Sequence, residues 1–206
     1  MVRMAEPYNP LHKINLGKSV VDALLEEQPI RMADLVSFNG AGIYAIYYHG
    51  QFSAYAPISI NPSDPNSIPI YAGKAVPSGA RRGASLSASL TTRALWNRLT
   101  DHRDNITEIE KSGGNLRIED FSVRYLVVDD IWIPLGESLL ISTYNPLWNR
   151  VVDGFGNHDP GAGRYGGLRP LWDVLHPGRY WAPKCRERTE TVGDIIQRIA
   201  AHFASA

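Results

Sequence analysis

Two tyrosines that lie close to glycines are the first residues whose type and spacing suggest chemistry. Tyr44 ends the run Gly42-Ile43-Tyr44, and Tyr71 opens the run Tyr71-Ala72-Gly73-Lys74. Side chains alternate between the two faces of a strand, so an antiparallel pairing of these runs can direct both phenols to one face. Two hydroxyls, each able to donate and accept a hydrogen bond, would then lie side by side at a surface. Alternatively, both tyrosines simply fill one side of a sheet.

A basic pair follows on a predicted helix. The helix is expected from about Thr92 to Ile109, because apolar or ring side chains repeat at spacings of four, three and four, at Leu95, Leu99, His102 and Ile106. Arg98 and His102 are four residues apart and therefore lie along one edge of this stripe. A lone arginine is usually solvated and a lone histidine beside a stripe usually belongs to the core. Their pairing after the two tyrosine runs favours a functional interpretation.

A single carboxylate, Glu137, completes this group of reactive side chains. A second helix is predicted to begin near Pro134, a residue suited to a first turn, and to stop at Asn145-Pro146. This places Glu137 in the first turn. There the helix dipole favours a carboxylate for structural reasons alone, so a structural interpretation stands beside the chemical one.

The elements that must position these residues form a small sheet flanked by helices. Strands are predicted over Ile43–Tyr48, Ile68–Ala72 and Phe121–Val128, the last with Phe121, Val123, Tyr125 and Val127 on one face. The connector between the first two contains Pro57, Pro62, Pro65 and Pro69 and cannot be continuous sheet or helix. We therefore predict an α/β (α+β) fold with a mostly antiparallel central sheet of about three strands.

Helices are also predicted at both ends of the chain, and a loop is predicted in the middle. The first helix is expected from a Ser19 cap to about Glu27, with Pro29 as a stop. Residues Ala75–Leu90 lack apolar periodicity and predict a loop. Near the C-terminus, Thr191 and Asp194 form a capping-box pattern before an apolar stripe of Ile195, Ile196, Ile199 and Phe203. The expected organisation is a helical extension over 1–38, a core over 39–150, and a glycine-rich extension with the terminal helix over 151–206.

Composition limits the classes of protein. The chain has 206 residues, 44% of them hydrophobic, and a net charge of +0, which is ordinary for a globular domain. Cys185 is the only cysteine, so the chain can form neither an internal disulfide nor a cysteine-based zinc site. Met1 to Pro10 carry no apolar signal core, and no later run has the length needed to span a membrane. We expect a cytoplasmic protein with no membrane partner.

The distribution of charge points to a polyanionic partner more clearly than its sum does. Six basic residues and one acidic residue lie between Lys74 and Arg103, and seven basic against four acidic lie between Arg150 and Arg188. In contrast, Asp104 to Asn149 holds eight acidic residues and three basic ones. This segregation suits a protein with one face toward phosphates, although uneven solvated loops would give the same pattern.

Taken in order, these motifs resemble the GIY-YIG nuclease superfamily. The resemblance covers about residues 40–150 and includes Asn149 after the run Tyr144-Asn145-Pro146-Leu147-Trp148. The second motif departs from the pattern, with Ala72 where isoleucine is usual. The tail is similar to the Type II restriction endonucleases that cut the palindrome CCGCGG, and it extends the resemblance to about residues 38–185. Its motifs are Val151-Val152-Asp153-Gly154-Phe155-Gly156-Asn157-His158, Pro160-Gly161-Ala162-Gly163-Arg164, Trp172-Asp173-Val174 and His176-Pro177-Gly178-Arg179.

The resemblance implies a role for each reactive side chain in phosphodiester hydrolysis. Glu137 would hold one Mg²⁺, for which Mn²⁺ may substitute, and Arg98 would brace the scissile phosphate. Tyr44, helped by His102, would contact or deprotonate the attacking water, Tyr71 would position phosphate or water, and Asn149 would orient its neighbours. A phenol with a pKa of about 10 is ionised to about one part in a thousand at pH 7, so a tyrosine base needs help worth roughly 3 to 4 kcal/mol.

The same resemblance implies double-stranded DNA as the partner. Guanine N7 and O6 accept from arginine or lysine, which suggests base or groove contacts by Arg81, Arg82, Asn157, His158, Arg164 and Arg169. Lys74 and Arg103 would bind backbone phosphates. The glycines of the extension would let the backbone approach the duplex, or would only shape a loop packed on the protein. A palindrome implies a homodimer, with a tetramer as the alternative. Whether a companion DNA methyltransferase acts on the same site stays open.

Two other classes of protein stay open. One is a DNA-binding module with an inactive nuclease site, although every motif position carries a residue able to act. The other is a differently targeted nuclease, such as a structure-selective repair or mobile-element enzyme. Those usually carry a separate DNA-binding domain, for which this chain has no room.

Overall fold

The computed structural model describes residues 8–64, 67–77 and 88–205. Its sheet is antiparallel, with strand order β1-β4-β2-β3 and the strands β1 Ile30–Arg31, β2 Gly42–Tyr48, β3 Tyr71–Ala75 and β4 Phe121–Val127. The helices among these residues are α1 Lys13–Glu26, α2 Ala88–Thr91, α3 Ala94–Lys111, α4 Ile133–Tyr144, α5 Leu147–Arg150, α6 Leu171–Leu175 and α7 Val192–Ala204. The predicted α+β fold is confirmed, and the strand that the sequence did not predict is the two-residue β1.

Strand β2 lies between two different apolar cores. All seven of its residues are buried. Tyr44, Ile46 and Tyr48 face a core that also contains the buried stripe of α3, whereas Ile43, Ala45 and Tyr47 face a second core against α1 and α4. Because side chains alternate along the strand, Tyr44 and Tyr48 lie on one face and Tyr47 on the other, and Tyr44 projects toward α3.

Helices α1 and α4 approach each other closely on the second face. A Cβ on Gly17 would lie 3.2 Å from Leu135 and Leu139, and a Cβ on Gly136 would lie 2.8 Å from Val20. The predicted start of α1 at Ser19 is wrong, because the helix is capped by His12 and continues through Gly17. Its end at Glu26 agrees with the predicted stop at Pro29.

Strand β3 begins three residues later than predicted. Pro69 has no backbone N–H, and the carbonyl of Ile70 accepts from the backbone N–H of Trp148, outside the sheet. Only from Tyr71 onward does the chain pair continuously with β2, in the register Tyr44↔Gly73 and Ile46↔Tyr71. The predicted loop over Ala75–Leu90 lies mostly outside the described residues; at its ends, Ala75 belongs to β3 and Leu90 to α2.

The remaining long elements agree with the sequence patterns. In α3 the predicted stripe of Leu95, Leu99, His102 and Ile106 is buried. In α7 the capping box between Thr191 and Asp194 is present. Ile195 and Ile199 pack into the first core, which shows that this helix packs against the core, while Ile196 on its edge is exposed.

The segment after α5 contributes large side chains to the first core, among them Val152, Phe155, Leu171 and Trp172. Nearby, the His176 ring lies between Asn115 Oδ1, 2.7 Å from its Nδ1, and the Tyr55 hydroxyl, 2.5 Å from its Nε2. Trp148 Nε1 donates to the same hydroxyl at 2.9 Å. These hydrogen bonds give the buried polar groups of Tyr55, Trp148 and His176 partners within the apolar core. Within the described part of the chain, no helix is long and apolar enough to cross a membrane.

Candidate active site

Tyr44 and Tyr71 project from the same face, because they are diagonal neighbours in the β2–β3 pairing. Their ring centroids are 6.2 Å apart. Gly73, directly opposite Tyr44, has to be glycine, since a Cβ there would collide with the Tyr44 hydroxyl. The glycine of the second motif therefore makes room for the tyrosine of the first. The expectation of two phenols at a surface holds only for Tyr71, because Tyr44 is fully buried.

His102 meets Tyr44 inside this face. Its Nε2 lies 2.6 Å from the Tyr44 hydroxyl oxygen. The imidazole stacks on Phe155 with a centroid distance of 4.5 Å, and the Tyr71 ring contacts it edge-on at 5.3 Å. Its Nδ1 has no hydrogen-bond partner among the described residues. The sequence therefore correctly placed His102 beside Tyr44, although its ring is also a buried part of the core.

Burial controls the protonation of both groups. It raises the pKa of the Tyr44 phenol well above its usual value, with Tyr71 and Glu137 adding to the rise and Arg98 opposing it. Burial also lowers the pKa of His102 well below its usual value, and the Arg98 cation adds to that effect. At neutral pH the pair is therefore a neutral phenol beside a neutral imidazole, whose Nε2 can accept a hydrogen bond from the phenol.

Arg98 lies close to the two phenols, and its positive charge opposes the rise in the pKa of Tyr44. Its Nη2 donates to the carbonyl of Gly156 at 3.0 Å, and its Nη1 donates to His158 Nε2 at 2.9 Å. The guanidinium is half-buried, so it combines a fixed position with access from solvent. A half-buried fork of N–H donors beside two hydroxyls is suited to binding a phosphate.

Glu137 reaches β3 from α4 and pairs with Lys74, whose Nζ lies 2.5 Å from Glu137 Oε2. The helix begins at Ile133, so Glu137 lies beyond the first turn and that prediction is wrong. The dipole explanation of this carboxylate is removed as a result, because the effect falls off within the first turn. Lys74, which is predicted to bind a backbone phosphate, pairs with Glu137 in the DNA-free protein.

The donor set suits a cation that takes few ligands from protein. Among the described residues, no three His, Cys, Asp or Glu side chains cluster as a protein-only metal site. Mg²⁺ commonly uses one or two carboxylates and completes its shell with water and substrate oxygens. Glu137 already holds a cation, the Lys74 ammonium, and only about a fifth of its side chain is exposed, at 21%. A single carboxylate at this position therefore fits Mg²⁺.

Asn149 binds the outer edge of β3. Its Oδ1 accepts from the backbone N–H of Ala72 at 2.8 Å, and its Nδ2 donates to the carbonyl of Ala72 at 2.8 Å. The side chain thus replaces the neighbouring strand that an edge strand lacks. Asn149 orients the residue next to Tyr71 and does not itself approach the Tyr44–His102 pair through these bonds.

Apart from Lys74, the predicted DNA-binding residues divide into three groups. Asn157, His158 and Arg164 line a cavity of about 370 Å³ beside the reactive cluster, with Trp181 and Cys185 also in its wall. Arg103 and Arg169 have partners on the protein: Arg103 pairs with Asp104 at 3.3 Å, and Arg169 donates to the Ala182 carbonyl at 3.2 Å. Arg81 and Arg82 lie outside the described residues.

A comparison with protein families agrees with this geometry. The family described as the Eco29kI GIY-YIG domain matches residues 36–203. The chain belongs to this family. The resemblance to GIY-YIG restriction endonucleases is thereby confirmed, and the antiparallel sheet with its flanking helices is the GIY-YIG fold. No single curated protein matches the chain. As a member of a restriction endonuclease family, the chain is a nuclease that acts on DNA.

The sequence analysis did not predict the role of Arg179, a buried arginine around which the C-terminal part of the chain packs. Arg179 is fully buried and forms a two-pronged ion pair with the buried Asp173. Its guanidinium lies between the rings of Trp172 and Trp181, at 4.7 and 4.6 Å from their centroids. The signal available was the run Trp172-Asp173 followed by Gly178-Arg179, but it does not distinguish a buried arginine from one that binds DNA.

Proposed function

We propose that this protein is a Type II restriction endonuclease that hydrolyses phosphodiester bonds in double-stranded DNA at a short palindrome, CCGCGG. The observation that carries the proposal is the contact between the Tyr44 hydroxyl and His102 Nε2 at 2.6 Å, beside the half-buried Arg98. Membership of the Eco29kI GIY-YIG family supports it.

The proton acceptor in this proposal is the Tyr44–His102 pair. Tyr44 takes a proton from the attacking water while its own proton passes to His102 Nε2, which burial keeps neutral. Because the phenolic proton passes to His102 as the water gives up its own proton, no free phenolate has to form before the water attacks the phosphorus. Arg98 binds the scissile phosphate through its N–H fork, and Tyr71 orients the phosphate or the water.

Glu137 would hold one Mg²⁺, with Mn²⁺ as a substitute. When bound, the cation neutralises charge on the phosphoryl oxygens and on the leaving 3′ oxygen. Lys74 has to leave Glu137 for the carboxylate to become a metal ligand, and its ammonium then becomes available to a DNA phosphate. Asn149 keeps β3 in place through Ala72, so that Tyr71 and Lys74 retain their positions.

A palindrome requires two cuts related by a two-fold axis. With one reactive cluster per chain, the simplest assembly is a homodimer, and a tetramer is the alternative. We place base reading in the cavity wall at Asn157 and Arg164, where an arginine can bind guanine N7 and O6. The protein would act in the cytoplasm beside a DNA methyltransferase that protects the same sequence.

The direct test is cleavage of a plasmid of known sequence with Mg²⁺, followed by mapping of the ends. We expect cuts at CCGCGG only, and no cuts when the metal is chelated. Cuts at another sequence would contradict the assigned site, and cuts at branched or damaged DNA alone would favour a repair nuclease. A DNA-binding protein without activity would bind CCGCGG and leave it intact.

Glu137→Ala provides the matched test of the metal assignment. We expect cleavage to be lost while binding to CCGCGG in the absence of metal stays within a fewfold of the original, because the carboxylate is proposed to bind metal and not DNA. Cleavage by this variant with Mg²⁺ would overturn the role of Glu137. Binding is measured by fluorescence anisotropy on a labelled duplex.

A further inference from the structure

The half-buried Arg98 is held by one short segment of the chain, residues 154–158. Its Nη2 donates to the carbonyl of Gly156 at 3.0 Å, and its Nη1 donates to His158 Nε2 at 2.9 Å. A guanidinium has only donors, so Nε2 of His158 must be the acceptor and the proton of the neutral ring must be on Nδ1. The tautomer of His158 is therefore set by Arg98.

This segment is in turn held by the buried Arg179. Its guanidinium donates to the carbonyls of Gly154 at 2.9 Å, Phe155 at 3.2 Å and Asn157 at 2.9 Å. Three carbonyls thus point toward Arg179, and the carbonyl of Gly156 points the other way, toward Arg98. Because Arg179 is itself fixed by Asp173 and two tryptophans, the segment offers Arg98 a rigid support.

Gly156 lies very close to both Arg98 and Tyr71. A Cβ at this position would lie 2.7 Å from Arg98 Nη2 and 2.7 Å from the Tyr71 hydroxyl. Any other residue would displace one of these two groups, since contacts below 3.0 Å do not occur between real Cβ atoms and their neighbours. The absence of a side chain at Gly156 therefore allows the close approach of Arg98 and Tyr71.

We propose that His158 is a positioning residue for Arg98, and that residues 154–158 orient the guanidinium toward the scissile phosphate. The inference rests on the proposed function. It is an alternative to the prediction that His158 contacts a base, and it starts from the bond between Nε2 of His158 and Arg98. An arginine side chain without hydrogen-bond partners samples many rotamers. The two fixed acceptors restrict Arg98 to few of them before the phosphate binds.

Cleavage measurements separate positioning from base reading. The variants are His158→Ala and His158→Gln. The control is His202→Ala, which removes a histidine on α7. For His158→Ala we expect the single-turnover rate at saturating DNA to fall on the order of tenfold to a hundredfold. We expect the ratio of affinities for CCGCGG and unrelated DNA, measured with Ca²⁺, to stay unchanged. His158→Gln should recover most of the rate, because its Oε1 can accept from Arg98.

Other outcomes overturn the inference. A loss of discrimination at an unchanged rate would make His158 a base contact, and an unchanged rate together with unchanged discrimination would remove it from the site. A fall in rate that His158→Gln does not recover would show that the acceptor is not what matters. If the unaltered protein cleaves no DNA, the proposed function fails, and a measurement independent of cleavage still tests the contact.

That measurement is the ¹⁵N spectrum of the imidazole rings in the DNA-free protein at pH 7.5. We expect His158 to carry its proton on Nδ1, and Arg98→Ala to release it from that tautomer. A proton on Nε2 of His158 in the unaltered protein would overturn the inference, because that nitrogen could not then accept from Arg98.

Discussion

Among the described residues, the ring that lies within hydrogen-bond distance of the Tyr44 hydroxyl is that of His102. Burial raises the pKa of the phenol, and His102 Nε2 is 2.6 Å away. Tyr44→Phe removes only the hydroxyl oxygen of Tyr44 and therefore measures its contribution. We expect single-turnover cleavage to fall by about 10² to 10⁴, the usual contribution of a general base. The free energy of unfolding should fall by about 1 to 3 kcal/mol, because the His102 ring loses a buried partner.

Tyr47→Phe is the control for this change, since Tyr47 lies on the same strand but faces the opposite core. It should cleave at the original rate. Cleavage by Tyr44→Phe at the original rate would instead make Tyr44 a packing residue and require another base.

Lys74 competes with metal for Glu137 at the residue scale. The two side chains are 39% and 21% exposed, so their attraction is partly screened and worth about 0.2 to 1 kcal/mol. Lys74→Gln should therefore raise the affinity of the DNA-free protein for Mn²⁺ roughly two- to fivefold, as isothermal titration calorimetry would measure. Lys18→Gln, which removes an exposed ion pair on α1, is the control. Weaker Mn²⁺ binding by Lys74→Gln would show that Lys74 supports the metal site.

At the scale of elements, Asn149 protects the edge of β3 with one side chain. Asn149→Ala leaves both the N–H and the carbonyl of Ala72 without this partner, which costs about 1 to 3 kcal/mol if they stay buried. We expect faster hydrogen exchange at the Ala72 amide and at least a tenfold loss of cleavage. Asn149→Asp keeps an acceptor for the N–H and should retain more of the exchange protection. Equal exchange in all three proteins would contradict this role.

How well the sequence predicted an element depended on whether its signal is local. Strand β2 follows from its aromatic and β-branched residues. Strand β4 and the stripe of α3 follow from side-chain period, and their predicted faces pack in the first core. The start of α1 was missed because Gly17 looks like a helix breaker in sequence. Gly17 instead serves the packing of two helices, because the absence of a side chain lets α4 approach α1 closely. Strand β1 was missed because two residues carry no period.

At the scale of the whole molecule, the site depends on contacts between segments far apart in the chain. The motifs gave the candidate residues of the site, but not that Arg98 would be held by residues 154–158 or that Arg179 would be buried and bound to the same segment. A buried arginine pays for its desolvation only through carbonyls and a carboxylate that the fold gathers around it. Its local sequence is indistinguishable from that of a DNA-binding arginine.

Two buried histidines make the stability of the whole fold depend on pH. Burial lowers the pKa of His176 to about 3 and lowers the pKa of His102 well below its usual value. In the unfolded chain both would titrate near pH 6.5, so between these values the unfolded state binds more protons than the folded state. The stabilisation is therefore complete above pH 6.5 and is lost as the pH falls toward the folded values.

Between pH 7.5 and pH 5, each histidine that stays neutral in the fold should reduce the free energy of unfolding by about 2 kcal/mol. Urea unfolding at the two pH values measures this loss. His102→Asn, which removes one of the two titrating rings, should be less stable at pH 7.5 but should lose only about half as much on acidification. His202→Gln is the control, because its ring lies near the end of α7 and is partly exposed. If the unaltered protein were equally stable at both pH values, the two rings would bind protons in the fold as readily as in the unfolded chain, which would contradict the lowered pKa of each.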